Sequence, residues 1–474
     1  MGSKVAVSML WVASLIASAS AGARDGDLDR GFGTAGKVFV KYTAWFIDTY
    51  NIELALQPDG KMLLGSSRNF ADPDYDFGVM RLMPDGTVDS TFGSSGQSFV
   101  VFDRTGSDKG DHLVGVVVQP DGKIVLAGVA DGDTSTGQDM AIARLNSDGS
   151  LDTGFGTSGK TIVPFNLGNC TTPTGCDDVA LRVNLQADNK ILLAGQAASN
   201  PDATTFTSAF AITRLTTTGQ RDSTFDIDGR VTLTFGTGDL GRGFRAKQLA
   251  DGTHILVVGG ANTTPAGTNA DFALARLNDN GSLDMTFGVG GKVTYGFDIG
   301  GDLGDIATDF VELPDGKLMV CGEVKANNPS NYDFGCIRFL ANGTVDITFP
   351  PVLIPFDIGG GFQDAPLRLE RDSRGRFLLI GFAERVSGSF DFAAARLLPD
   401  GSLDTSFGHG GTLTYDSLPA TGVERNNGAS GLAVQPDGKI VIAGYADSDG
   451  AGHDEFEVVR VIGDTIFSDG FEGS

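Results

Sequence analysis

The chain has 474 residues, 60 of them Asp or Glu against 35 Lys or Arg, for a formal charge of −25. That acidic excess argues against nucleic acid or an anionic membrane surface as a partner, since both require basic surface. A mean hydropathy near zero with 41% hydrophobic residues excludes a disordered polyelectrolyte, and 68 glycines without a collagen-like period imply a turn used again and again.

At the N-terminus, residues 1–23 read as a secretory signal peptide. Lys4 supplies the positive start, Val5 to Ala17 is apolar but too short to span a bilayer, and Ala19-Ser20-Ala21 or Ala21-Gly22-Ala23 offers small residues for cleavage. A secreted or periplasmic protein is therefore expected. No later apolar run is long enough to cross a membrane.

Residues 24–462 carry one internal repeat. The chain first shows Leu28-Asp29 with Phe32-Gly33 and the strand-like KVFV, then a turn motif QPDGK at Gln57–Lys61, Gln119–Lys123 and Gln435–Lys439. Looser copies begin at 186 (QADNK), 249 (LADGT), 313 (LPDGK) and 372 (DSRGR). An Arg ends an apolar strand at Arg81, Arg144, Arg214, Arg276, Arg338, Arg396 and Arg460. A D-x-x-F motif starts at Asp29, Asp89, Asp152, Asp222, Asp284, Asp346 and Asp404. Each landmark thus occurs seven times, at a spacing of about 62 residues.

The second cycle holds four short strands, HLVGVVVQ, KIVLAG, MAIARL and KTIVPF, here named A to D and separated by Gly, Asp, Asn and Pro. The final cycle stops after its C strand, and the N-terminal fragment supplies the half it lacks. An open solenoid has no use for such a phase shift, whereas a ring of blades closes by sharing one sheet between its ends. The expected fold is all-β: a seven-bladed β-propeller of four-stranded blades, closed by an N-terminal strand. Residues 463–474 form a short tail.

The motifs QPDGKI, D-F-A-x-A-R-L and S-L-D-x-x-F-G resemble those of the bacterial delta-60 repeat proteins, a family of unknown function assigned to β-propellers. The resemblance covers essentially all of the mature chain and implies fold and export. It brings no activity with it.

Arg and the following Asp stand eight residues apart in each complete copy, as in Arg81 and Asp89 or Arg144 and Asp152. The same holds for Arg214 and Asp222, Arg276 and Asp284, Arg338 and Asp346, and Arg396 and Asp404. Alternation in strand C points the Arg where apolar residues point, so a charge-assisted pair across the C-to-D turn is expected, with Arg460 meeting Asp29 to latch the ring. The A-to-B and C-to-D turns share one face of the ring. The B-to-C and D-to-A loops share the other, differ from blade to blade, and are where function is expected.

Those variable loops are acidic. Asp72, Asp74 and Asp76, then Asp131, Asp133 and Asp139, then Asp447, Asp449 and Asp454 make clusters that suit a hard cation, with calcium the candidate. They lack the sixth-position Gly and twelfth-position Glu of a helix-loop-helix site, and a solvated hairpin is the competing reading. Near the channel mouth the D-to-A loops and strand starts offer Asp111, His112, Asp178, Arg242, Asp305 and Asp364 as binding candidates.

Four cysteines form two close pairs, Cys170 with Cys176 and Cys321 with Cys336, which suit two disulfides in an oxidising compartment; two pairs of free thiols are the alternative. Four scattered histidines and the absence of a G-x-S-x-G elbow give no support to a zinc or serine hydrolase. The expected function is a non-catalytic, monomeric scaffold that binds a protein, a glycan or a cation through its variable loops. The alternative is a hydrolase or lyase using channel-mouth Asp residues, with calcium assisting.

Overall fold

A computed structural model describes residues 24–42, 46–47, 52–71, 74–102, 110–131, 137–167, 177–202, 205–236, 241–262, 270–297, 299, 304–325, 331–356, 358, 363–386, 389–415, 427–447 and 454–463. Seven antiparallel sheets follow one another round a ring, and the described residues contain no helix. The fold is a seven-bladed β-propeller.

Blade 2 shows the plan. Its strands His112–Val118, Ile124–Asp131, Gln138–Leu145 and Lys160–Val163 pair in sequence, with A at one edge of the sheet and D at the other. The other A strands are Glu53–Leu56, Asp178–Leu185, Arg242–Gln248, Ile306–Glu312, Asp364–Arg371 and Asn427–Val434. Contacts run from each A strand to the next around the ring, and from Asn427–Val434 back to Glu53–Leu56. In blade 7 the outer strand is the N-terminal Lys37–Val40, paired antiparallel with Asp454–Val461. Blade 1 gains a fifth strand, Phe46–Ile47, which pairs the far end of Met62–Ala71.

Local chemistry explains the turns. In the first PDG turn the Asp59 carboxylate accepts the Lys61 amide at 3.2 Å, Gln57 and Lys61 close the hairpin, and Gly60 sits at φ 83°. Only Gly takes that region freely, with Asn next best. Blade 3 accordingly holds Asn189 there at φ 65°.

The core lies between blades. One of its clusters joins Phe77, Val79 and Phe92 of blade 1 to Leu126, Ala141 and Ala143 of blade 2, all fully buried. Alanine on strand C lets the neighbouring sheet come close enough for the aromatic rings to fill the gap. In blade 5, Cys321 and Cys336 face each other on strands B and C and form a disulfide, with Cα atoms 4.2 Å apart. Cys170 and Cys176 lie outside the described residues.

Candidate functional site

The repeated charges form a framework on the turn face. Arg81 Nε donates to Asp89 Oδ2 at 2.9 Å, and the same bond joins Arg144 to Asp152, Arg214 to Asp222, Arg276 to Asp284, Arg338 to Asp346 and Arg396 to Asp404 at 2.6–2.9 Å. Arg460 meets Asp29 in the same way at 2.8 Å. Each guanidinium also lies 4.5–4.8 Å from the centre of the ring of the D-x-x-F phenylalanine. Its Nη1 donates to a turn carbonyl of the next blade: Arg81 to Ser147, Arg144 to Thr217, and so on round to Arg460 and Pro84.

The Lys of QPDGK completes the unit, a role the spacing alone did not suggest. Lys61, Lys123, Lys190, Lys317 and Lys439 reach the same carboxylates at 2.7–3.4 Å, and His254 and Arg376 stand in for them in blades 4 and 6. The Thr91 hydroxyl, with the Thr91 amide and Arg81, outweighs burial and holds the Asp89 carboxyl down to about 2. Burial opposes ionisation of Asp222 and Asp284, yet Thr224, Thr286 and the arginines bring both down to about 2. These arginines are committed to holding blades together.

The acidic residues proposed near the channel mouth stand at the starts of the A strands. Asp111, Asp178, Asp305 and Asp364 are buried, and each accepts the backbone amide that follows strand D of the preceding blade. The donors are Phe102 at 2.7 Å, Phe165 at 2.5 Å, Phe297 at 2.7 Å and Phe356 at 2.9 Å. Each carboxylate thus ties off the base of a D-to-A loop. Burial, assisted by nearby Asp139, pushes the Asp178 carboxyl up to about 7 against the pull of the Phe165 and Asn166 amides. Arg242 is exposed at the start of its strand, and His112 lies against the Tyr75 ring at 4.7 Å.

Of the calcium candidates, Asp76 is buried and paired with Arg68, and Asp139 is buried at the start of strand C. Asp131 accepts Gln138 Nε2 at 2.8 Å and the Gly110 amide at 3.0 Å. Asp74, Asp447 and Asp454 lie at strand ends, with their side chains outside the described residues; Asp72, Asp133 and Asp449 fall outside them altogether. Among the described residues, no three His, Cys, Asp or Glu side chains gather to hold a metal.

Sequence reasoning missed the centre of the ring. Four residues before the first position of each A-to-B turn motif stand Glu53, Gly115, Arg182, Arg245, Asp309, Arg368 and Gly431. In blades 2 to 7 a register shift falls just before this residue, as between Ala180 and Arg182 or Pro366 and Arg368. Glu53 Oε1 accepts Arg368 Nη2 at 2.5 Å and Arg182 Nη1 at 3.3 Å. Blades 1, 3 and 6 are not neighbours, so these bonds cross the channel. Blades 2 and 7, which flank Glu53, carry glycine, and a Cβ on Gly115 would stand 2.5 Å from Val183 Cγ1. Arg245 Nε lies 3.3 Å from Asp309 Oδ1. Burial raises the Glu53 and Asp309 carboxyls, against the opposing pull of Arg368 and Arg245 respectively.

Two cavities lie close to this centre. One of about 450 Å³ opens beside the A-to-B turns of blades 6 and 7, lined by Leu54, Glu370, Arg371, Leu432 and Gln435. It is on the turn face rather than the variable face. The other, about 190 Å³, is apolar and lined by Leu367, Phe382, Phe390, Ser430 and Tyr445. Phe382 and Phe390 meet edge to face there at 5.1 Å.

A family model described as a domain of unknown function (DUF5122) beta-propeller matches the chain seven times, at residues 57–92, 119–155, 186–225, 250–287, 313–349, 375–407 and 435–461. No curated protein matches the sequence. Among solved structures, a protein of unknown function from Dyadobacter fermentans DSM 18053 is 11% identical with a TM-score of 0.45, over 77% of this chain and 98% of that one. A PL25 ulvan lyase is 11% identical with a TM-score of 0.37, over 73% and 82%. An α-L-arabinofuranosidase from Fusarium graminearum is 12% identical with a TM-score of 0.40, over 92% and 97%.

Proposed function

The chain belongs to the DUF5122 β-propeller family, whose function is unknown, and from that premise we propose that it is an exported, non-catalytic scaffold that binds a ligand through its variable loops. One observation carries the reading: the charges that recur in every blade are spent on holding blades together, which leaves the blade-specific B-to-C and D-to-A loops to present chemistry. A protein, a glycan or a cation such as calcium is the partner, and the propeller acts as a monomer. The Cys321–Cys336 disulfide and the signal-like residues 1–23 support export to the periplasm or beyond. We take residues 24–462 as the exported domain and assign its repeats, on their motifs, to the delta-60 type. Thermal shift and native mass spectrometry with calcium and with glycan and peptide panels test this. A saturable ligand lost on replacing residues 132–136 by Gly and Ser supports it, and binding indifferent to every variable loop sinks it.

A second reading, a hydrolase or lyase, is favoured by Glu323 in strand B of blade 5. Burial alone pushes its carboxyl up to about 7, where a general acid works best. Turnover of a polysaccharide that disappears in Glu323→Gln, with folding intact, would favour this reading over the scaffold.

A further inference from the structure

The layer at the centre of the ring supplies more hydrogen-bond donors than acceptors. Arg182, Arg245 and Arg368 bring five N–H groups apiece, and the layer's own acceptors are the carboxylates of Glu53 and Asp309. Glu53 serves Arg182 and Arg368, each of which also turns one donor back onto its own strand, at Leu181 O (2.9 Å) and Leu367 O (3.0 Å). Asp309 already accepts the amides of Phe310 at 2.8 Å and Leu369 at 3.1 Å.

Arg245 is therefore left with one ion-pair contact, to Asp309 Oδ1, and its Nε makes no hydrogen bond among the described residues although its side chain is only 15% exposed. A guanidinium mostly screened from water, with its Nε short of an acceptor, offers a planar fork that matches carboxylate, sulfate or phosphate oxygens two at a time. Blades 2 and 7 place no side chain in the layer, because Gly115 and Gly431 stand there. These seven positions carry three arginines against two carboxylates, with Lys247 and the Glu370 carboxyl beside them, within a chain whose overall charge is −25.

We propose that the channel of this propeller binds a small oxyanion at this layer, with Arg245 as its main ligand and Arg182 of the adjoining blade as the second. The site is separate from the variable loops and does not depend on the function assigned to them. The shared chemistry is a carboxylate, sulfate or phosphate group.

Titration calorimetry of the mature protein at low ionic strength, with sulfate, phosphate, citrate and glucuronate as probes and chloride as the control, tests it. At least one probe is expected to bind saturably at one per chain, and its profile tells a carboxylate site from a sulfate or phosphate site. Arg245→Gln should weaken that probe at least tenfold, while Arg221→Gln on the outer turns should change it less than twofold. Arg245→Lys, which keeps the charge but loses the fork, covers the case in which the Gln variant fails to fold, and should also weaken binding. No saturable binding of any probe, or unchanged affinity in a folded Arg245 variant, overturns the proposal. Loss of a loop-binding partner without loss of the oxyanion would leave this site standing while removing the scaffold reading.

Discussion

Arg460 Nε donates to Asp29 Oδ2 at 2.8 Å, joining residues 431 positions apart. The same guanidinium reaches the carbonyl of Pro84 in blade 1 at 2.8 Å and covers Phe32. One side chain thus links the N-terminal strand, the last blade and the first. In blade 6 a second arginine joins segments from the two halves of the closure, where Arg396 donates to Asp25 Oδ2 at 2.7 Å and to Gly463 O at 2.6 Å. Closure uses the same unit that joins every other pair of blades.

Asp29→Asn should therefore cost about 1–3 kcal/mol, because it keeps an acceptor oxygen but removes the negative charge from a charge-assisted bond to a buried guanidinium. Asp152→Asn, inside blade 2, should cost a similar amount. Urea denaturation measures both, and a negligible effect at Asp29 alone would mean that strand pairing closes the ring without the arginine.

Removing the Glu53 carboxylate leaves Arg182 and Arg368 facing each other across the channel. Glu53→Ala should destabilise by about 3–5 kcal/mol, as breaking a buried ion pair on one side does. Glu53→Gln keeps an acceptor of the same shape and should cost less. Equal losses in the two variants, read from denaturant midpoints, would show that packing rather than the charge layer matters at this position.

Stability should pass through a maximum with pH. Asp89, Asp222 and Asp284 have folded values near 2, below the ordinary 3.8, so their contribution is present above about pH 4 and is lost as the pH falls towards 2. Asp178 and Glu323 have folded values near 7, above the ordinary 3.8 and 4.5, so their contribution is complete below about pH 4 and is lost as the pH rises through 7. The melting temperature should peak between about pH 4 and 6. Asp178→Asn, which still accepts the Phe165 amide, should flatten the alkaline side of a calorimetric pH series.

Reduction should loosen blade 5. The Cys321–Cys336 bond closes a separation of 15 residues, for which the chain-entropy model gives about 3 kcal/mol. Melting with and without dithiothreitol measures the effect, and Cys321→Ser should reproduce it. Non-reducing peptide mapping should also recover a Cys170–Cys176 peptide, as expected from the close spacing of that pair.

How far the sequence speaks depends on whether a residue acts locally. Arg81 and Asp89 are eight apart on one turn, so strand alternation and the cost of burying a guanidinium together predict their bond. The PDG turn, the seven cycles and the displaced first strand are local or periodic in the same way. Lys61 was harder to read: it meets Asp89 only once strands A, B and C lie side by side. The Asp residues at 111, 178, 305 and 364 were visible as acids, but only blade stacking determines that they are buried against the amides after strand D.

The sequence by itself therefore determined the number of blades, the way the ring closes and the scaffold of charged turns, because each repeats at a fixed period and carries its own physical reason. The central layer was decided by tertiary structure alone. Glu53, Arg182 and Arg368 differ in type from blade to blade and lie more than a hundred residues apart, so no local pattern marks them. Curving seven sheets into a ring is what brings them within hydrogen-bond reach, where burial of Glu53 and Arg368 makes an unpaired charge costly.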